Sequence, residues 1–77
     1  MKEYTDELLF TKIFSLCLKH PYSIEEITDK IYKNNLAKNI VRVYQSMEIM
    51  MKHNIMLPKY QNNSLRFQVN PDIYTKQ

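Results

Sequence analysis

The chain has 77 residues, 44% of them hydrophobic, and a formal net charge of +3 at pH 7. This length predicts one small domain covering residues 1–77, with enough apolar side chains for a folded core. Glycine is absent, which excludes the glycine-rich phosphate-binding loops of nucleotide-binding enzymes, because their backbone geometry requires residues without a Cβ.

The single cysteine, Cys17, excludes an intramolecular disulfide and favours a reducing compartment. The first residues are acidic instead of basic, and no apolar run has the length of a membrane span, so we expect a cytoplasmic protein without a membrane segment. Cys17 and His20 have no second pair of metal ligands beside them, and no Ser-His-Asp or Cys-His pattern indicates a nucleophile. We therefore expect no enzymatic activity, metal, cofactor or small-molecule ligand.

Charge is unevenly distributed along the chain. Residues 1–30 contain four lysines and six acidic residues, whereas residues 31–77 contain seven lysines or arginines and two acidic residues. The first segment therefore has a net charge of −2 and the second a net charge of +5. This asymmetry indicates that a negatively charged partner would bind the second segment.

A first helix is predicted from about Thr5 to Lys19, with Thr5 or Asp6 as its cap, and Pro21 disfavours helical geometry at the preceding residue. Its apolar positions cover about 200° of the circumference. They are Leu9, Phe10, Ile13, Phe14, Leu16 and Cys17. One interpretation is a homodimer through this helix, with Leu9, Phe10, Ile13 and Phe14 at the interface. The other is that a small core surrounds the helix.

The spacing of Ser23 and Glu26 is that of a capping box, which predicts a second helix from Ile24 to about Tyr32. Glu25 and Glu26 lie in its first turn, where carboxylates stabilise the helix dipole, so their pairing does not indicate acid–base catalysis. The inward positions are Ile24, Ile27 and Ile31.

The longest helical pattern runs from Asn35 to Ile55. Apolar residues at steps of three and four predict a buried face of Leu36, Ile40, Val43, Met47 and Met50. The opposite strip is polar and has no acidic residue before Glu48. It comprises Lys38, Asn39, Arg42, Gln45 and Ser46.

Asparagines are predicted to shape both ends of this third helix. Asn34 and Asn35 tolerate left-handed geometry and either can cap the helix, whereas Asn39 would cap a shorter helix that begins at Ile40. At the other end, Asn54 is predicted in the left-handed position that glycine usually takes.

Residues 55–69 predict a β-hairpin. Leu65, Phe67 and Val69 alternate with polar residues in the second strand, and Asn62-Asn63 at the tip favours a turn with positive φ. Pro58 restricts the first strand to an edge or an irregular pairing. The predicted fold is therefore α+β and mostly α, with three helices followed by a two-stranded hairpin.

This order of elements resembles the winged helix-turn-helix family, and in particular its small transcriptional regulators. Val43-Tyr44-Gln45-Ser46-Met47, Met50 and Asn54-Ile55 correspond in spacing and residue class to the family's segment between recognition helix and wing. The strand Leu65–Val69, leading into Asn70-Pro71, looks like the aromatic-rich strand that closes many wings. The resemblance covers most of the chain. It implies sequence-specific binding of double-stranded DNA, with the third helix in the major groove and the hairpin on the backbone.

The polar residue types suit that role, because Arg or Lys contacts guanine and Asn or Gln contacts adenine in the major groove. The predicted DNA contacts are Lys38, Asn39, Arg42, Gln45, Ser46, Lys59, Asn62, Asn63 and Arg66. Tyr44 is interpreted either as a DNA contact or as an inward residue that supports the turn.

An alternative function is a winged-helix module for protein–protein contact, either an adaptor or an assembly subunit. A polar strip is also the ordinary solvated face of an amphipathic helix. On this alternative the first helix and the methionines form the working surface, whereas the other interpretation makes the methionines a pliable core. These methionines are Met47, Met50, Met51 and Met56.

Overall fold

Three helices precede a two-stranded antiparallel hairpin and a short final helix in this computed structural model, which describes residues 4–75. This layout confirms the predicted α+β fold. The elements are α1 (Asp6–Lys19), α2 (Ile24–Tyr32), α3 (Ala37–Lys52), β1 (Met56–Gln61), β2 (Ser64–Val69) and α4 (Asp72–Thr75). Within residues 4–75, no helix combines the length and the apolar character that crossing a membrane requires.

The predicted starts of α1 and α2 are confirmed by their capping contacts, whereas α3 begins after Leu36 without the predicted asparagine cap. The Thr5 hydroxyl accepts a hydrogen bond from the Leu8 N–H at 3.1 Å. In α2 the Ser23 hydroxyl accepts from the Glu26 N–H at 3.2 Å, and the Glu26 carboxylate accepts from the Ser23 N–H at 2.9 Å. This reciprocal pair is a capping box and satisfies two amide groups that the helix leaves without internal partners.

The connection between α2 and α3 differs from the prediction. The left-handed residue is Lys33, with φ 64°, and not Asn34 or Asn35. Asn34 organises the turn through its side chain instead, since its Oδ1 accepts from the Leu36 N–H at 3.0 Å. Leu36, predicted on the buried face, is the N-cap residue of α3 and is exposed.

The end of α3 has a Schellman motif. Asn54 is left-handed, with φ 60°, as predicted. Its N–H donates to the carbonyl of Met51 at 3.0 Å, and the N–H of Ile55 donates to the carbonyl of Met50 at 2.8 Å. These bonds satisfy the last carbonyl groups of the helix and turn the chain directly into β1.

Replacing Asn54 with alanine is expected to lower the free energy of unfolding by about 1–2 kcal/mol, because a Cβ without a polar side chain disfavours positive φ. Replacing it with glycine is expected to leave stability unchanged or slightly raised. Urea denaturation of the two variants measures the difference. Equal stability of the alanine and glycine variants would contradict the assigned geometry.

The hairpin has the predicted turn and edge. Asn62 and Asn63 have φ of 52° and 62°, the pattern of a type I′ turn. Pro58 lies opposite Phe67 in the ladder. The N–H and C=O of Phe67 pair on the other side with Tyr22, at 2.8 and 3.1 Å, so the missing N–H of Pro58 costs no hydrogen bond between β1 and β2.

The core lies where α1, α2, α3 and the hairpin meet. Met47, Met50 and Met56 are buried, as the pliable-core interpretation requires. The buried apolar side chains are Leu9, Ile13, Cys17, Ile27, Ile31, Val43, Met47, Met50, Met56, Phe67 and Val69. Because α3 buries Val43, Met47 and Met50 against these partners, its opposite face is directed away from the core.

Candidate nucleic-acid interface

The outer face of α3 is a continuous exposed surface at helical spacing. It contains cations at both ends, Lys38 and Lys52, with Gln45 between them. It also contains apolar and acidic side chains that the predicted polar strip did not include. These are Val41, Tyr44, Glu48 and Ile49.

An open cleft of about 640 Å³ separates this face from the hairpin tip. We call it the hairpin cleft. Its lining comprises Ser23, Ile24, Glu25, Ile40, Val41, Tyr44, Asn63, Ser64, Leu65 and Phe67. On one side of the cleft is the start of α3, which has no acidic residue in its first turn and no side-chain cap. On the other side, the hairpin contributes Asn63, which is exposed, whereas Lys59 and Asn62 are exposed elsewhere on the hairpin.

Two of the predicted contact residues are inside the fold. Asn39 is 7% exposed and Ser46 is 5% exposed, so their placement on the exposed strip is wrong. Asn39 donates from Nδ2 to the Asn34 Oδ1 at 2.9 Å and thereby holds the turn before α3. Their polarity suggested a solvated position, but both project from the same side of α3 as Val43 and Met47.

Arg42 is directed to the start of α1. Its Nη1 donates to the carbonyl of Tyr4 at 2.7 Å, and its Nη2 forms an ion pair with Asp6 at 2.8 Å. A contact between Arg42 and a base would therefore have to replace these two partners. A sequence separation of 36 residues between Arg42 and Asp6 is the reason that helical spacing alone did not reveal this contact.

Arg66 is likewise occupied, in this case by α2. Its Nη1 donates to the Glu26 carboxylate at 2.9 Å, the same oxygen that completes the capping box. The Arg66 side chain is 21% exposed. Arg66 therefore joins the hairpin to the start of α2, and its predicted phosphate contact would require breaking this pair.

A double-mutant cycle on Arg66→Ala and Glu26→Ala is expected to give a coupling of about 1 kcal/mol, since the pair is partly buried and hydrogen-bonded. The matched cycle on Arg42→Ala and Asp6→Ala is expected to give about 0.5 kcal/mol or less, because Asp6 is largely exposed to screening water. Urea denaturation of the six variants and the wild type provides both values. A larger coupling for the Asp6 pair would contradict the structural role given to Arg66.

The accessible members of the predicted set are exposed on α3 or on the hairpin. They are Lys38, Gln45, Lys59, Asn62 and Asn63. Val41, which the sequence prediction did not include, is also accessible. So is Tyr44, whose role the prediction left open. The sequence spacing could have indicated this placement, since Val41 and Tyr44 lie three and six residues after Lys38. The apolar side chain of Val41 suggested burial instead.

The predicted dimer surface on α1 also requires correction. Leu9 and Ile13 have no exposed surface, so a second copy packed on this fold cannot touch them. Phe10 and Phe14 are half-buried and line an apolar groove of about 410 Å³ between α1 and α3. We call it the α1–α3 groove; its lining is Phe10, Thr11, Phe14, Ser15, Ile49, Met50, Ile55 and Ile73.

Cys17 is a core residue. Burial raises the pKa of its thiol to about 12, against a smaller lowering by a backbone hydrogen bond from Tyr22. A thiol with this pKa stays protonated near neutral pH and is a poor metal ligand or nucleophile. Residues 4–75 contain no group of three or more His, Cys, Asp or Glu side chains placed to hold a metal ion.

Comparison of the chain with protein-family models, with curated proteins and with solved structures gave no match.

Proposed function

We propose that this chain is a winged helix-turn-helix domain that binds double-stranded DNA as a small transcriptional regulator. The outer face of α3 enters the major groove, and the hairpin contacts the adjacent backbone. The main support is that exposed residues of α3, Val41 and Tyr44, and the exposed hairpin-tip residue Asn63 line the two sides of one cleft. A duplex can contact both sides of such a concave surface together.

The distribution of charged side chains supports the same orientation of the domain on DNA. Lys38 is exposed near the start of α3 and Lys59 is exposed on β1 of the hairpin, and each can neutralise a phosphate group. The positive end of the α3 dipole is next to Lys38, and the first turn contains no acid to offset it. Glu25 lines the cleft at the start of α2 and opposes close approach of the backbone there.

Fluorescence anisotropy with labelled duplexes tests this proposal. Binding is expected at low salt, and its affinity is expected to fall steeply as salt rises, because each phosphate contact releases a counterion. Selection of bound duplexes from a random pool then identifies the preferred site. Failure of every duplex to bind at low salt would exclude the proposed function.

We further propose that a second copy of the chain occupies the α1–α3 groove, so that the DNA-binding unit is a homodimer. The groove is lined almost entirely by apolar atoms, and two other exposed apolar side chains are close in sequence to its lining residues. Leu18 lies one turn beyond Phe14 on α1, and Tyr74 follows the groove residue Ile73 on α4. A symmetric dimer requires such a groove and such projecting side chains on the same chain.

Light scattering measures the oligomeric state directly. The wild-type chain is expected to be a dimer, and Phe14→Glu is expected to be a monomer that retains its helical circular dichroism. A monomeric wild type at high concentration would exclude the homodimer.

The same groove favours a second candidate function, in which the chain is a protein–protein interaction module and its apolar surface receives a different protein. This function gains support if the wild type is monomeric and binds no duplex. It loses support if duplex binding depends on Lys38 and Lys59.

A further inference from the structure

The centre of the exposed α3 face has an unusual composition for a surface that reads base pairs. Val41 and Gln45 are four residues apart, adjacent on the helix surface, and both are exposed. Val41 keeps 49% of its surface accessible although it belongs to a domain with few residues to form a core. An exposed valine beside an exposed glutamine presents two methyl groups and an amide at adjacent points of the helix surface.

Arginine, the residue type that most often reads guanine, is absent from this accessible set within the described part of the chain. Arg42 is bound to Asp6 and the Tyr4 carbonyl, and Arg66 is bound to Glu26. Lys38 is the cation nearest to Val41 along the exposed face, three residues before it. Glu48, three residues after Gln45, repels phosphates from the second half of the helix.

We infer that this face selects A·T base pairs, with Gln45 bonded to adenine and the Val41 methyl groups packed on the C5 methyl of thymine. The inference rests on the proposed DNA binding and specifies which base pairs it recognises. The major-groove edge of adenine offers an N7 acceptor and an N6 donor, which match the two polar atoms of a glutamine amide. The C5 methyl group of thymine is the only apolar group on the major-groove edge of an A·T pair, and an exposed valine is complementary to it.

Replacing thymine with uracil tests the methyl contact, because uracil lacks only the C5 methyl group. The probe is the duplex selected from a random pool, prepared once with thymine and once with uracil at every position. Wild-type protein is expected to bind the uracil duplex about three- to fivefold more weakly for each methyl group it covers. Val41→Ala is expected to bind the two duplexes with nearly equal affinity.

Gln45→Ala tests the adenine contact independently. The selected consensus is expected to be rich in A·T pairs for the wild type, and Gln45→Ala is expected to lose its preference at one or two of those positions. A matched control is Lys52→Ala, which lies on the same exposed face but near the end of α3. This variant is expected to keep the wild-type ratio of thymine to uracil affinity.

The outcomes separate this inference from the proposed function. Binding with a consensus rich in G·C pairs, or with no loss on uracil substitution, would overturn the A·T assignment and leave DNA binding intact. Absence of binding to any member of the pool would overturn both. A Val41→Ala variant that discriminates uracil as strongly as the wild type would refute the role of Val41.

Discussion

The double substitution Lys38→Ala and Lys59→Ala is expected to weaken binding to every duplex by about 10- to 100-fold near 0.1 M salt. Both lysines are exposed, Lys38 near the start of α3 and Lys59 on the hairpin. If each neutralises one phosphate, the slope of log affinity against log salt concentration should become less negative by about 2. Anisotropy titrations of the wild type and the variant at four or more salt concentrations measure both quantities.

The matched control removes the same charge from another surface. Lys12 and Lys19 lie on α1, which packs against the opposite side of α3. Lys12→Ala with Lys19→Ala is expected to change affinity slightly and to leave the slope unchanged. Equal losses in the two double variants would mean that net charge alone attracts DNA, and the assigned surface would then be wrong.

The substitution Ile13→Ala is expected to lower the free energy of unfolding by about 2–5 kcal/mol. Ile13 is fully buried in the middle of α1, among side chains of the other helices and the hairpin. Alanine leaves a cavity that a close-packed core fills only in part. Because a domain of this size has only a few kcal/mol of stability in total, the variant should be largely unfolded at physiological temperature.

Leu8→Ala serves as the control, since Leu8 is on the same helix but 45% exposed. Its cost is expected to be below about 1 kcal/mol. Urea denaturation followed by far-UV circular dichroism compares the two variants. A cost below about 1 kcal/mol for Ile13→Ala would contradict the packing described for α1.

The parts of the fold that could be predicted from sequence are those that depend on near neighbours. The Ser23–Glu26 capping box, the left-handed Asn54 and the Asn62-Asn63 turn each involve residues within a few positions of one another. Hydrogen bonds over such distances follow from residue type and spacing. The apolar period likewise predicted that Val43, Met47 and Met50 form the buried face of α3.

The candidate site was only partly predictable, because the availability of a side chain depends on distant partners. Arg42 and Arg66 are cationic in sequence, yet Asp6 and Glu26 occupy them across 36 and 40 residues. Asn39 and Ser46 are polar but buried, and Val41 is apolar but exposed. Residue type gives an average preference for burial, whereas the packing of a particular helix decides the outcome at each position.

The sequence by itself therefore determined the order of the three long helices and the hairpin, the caps of α1 and α2, and the hairpin turn, because local hydrogen bonds and the period of apolar residues specify them. Only the tertiary structure decided which individual side chains of α3 are accessible and which cations are already paired within the fold. The reason is that ion pairs and burial form between segments far apart in sequence. Lys38, Val41, Gln45 and Lys59 are left at the surface only because of how α1, α2 and the hairpin pack around α3.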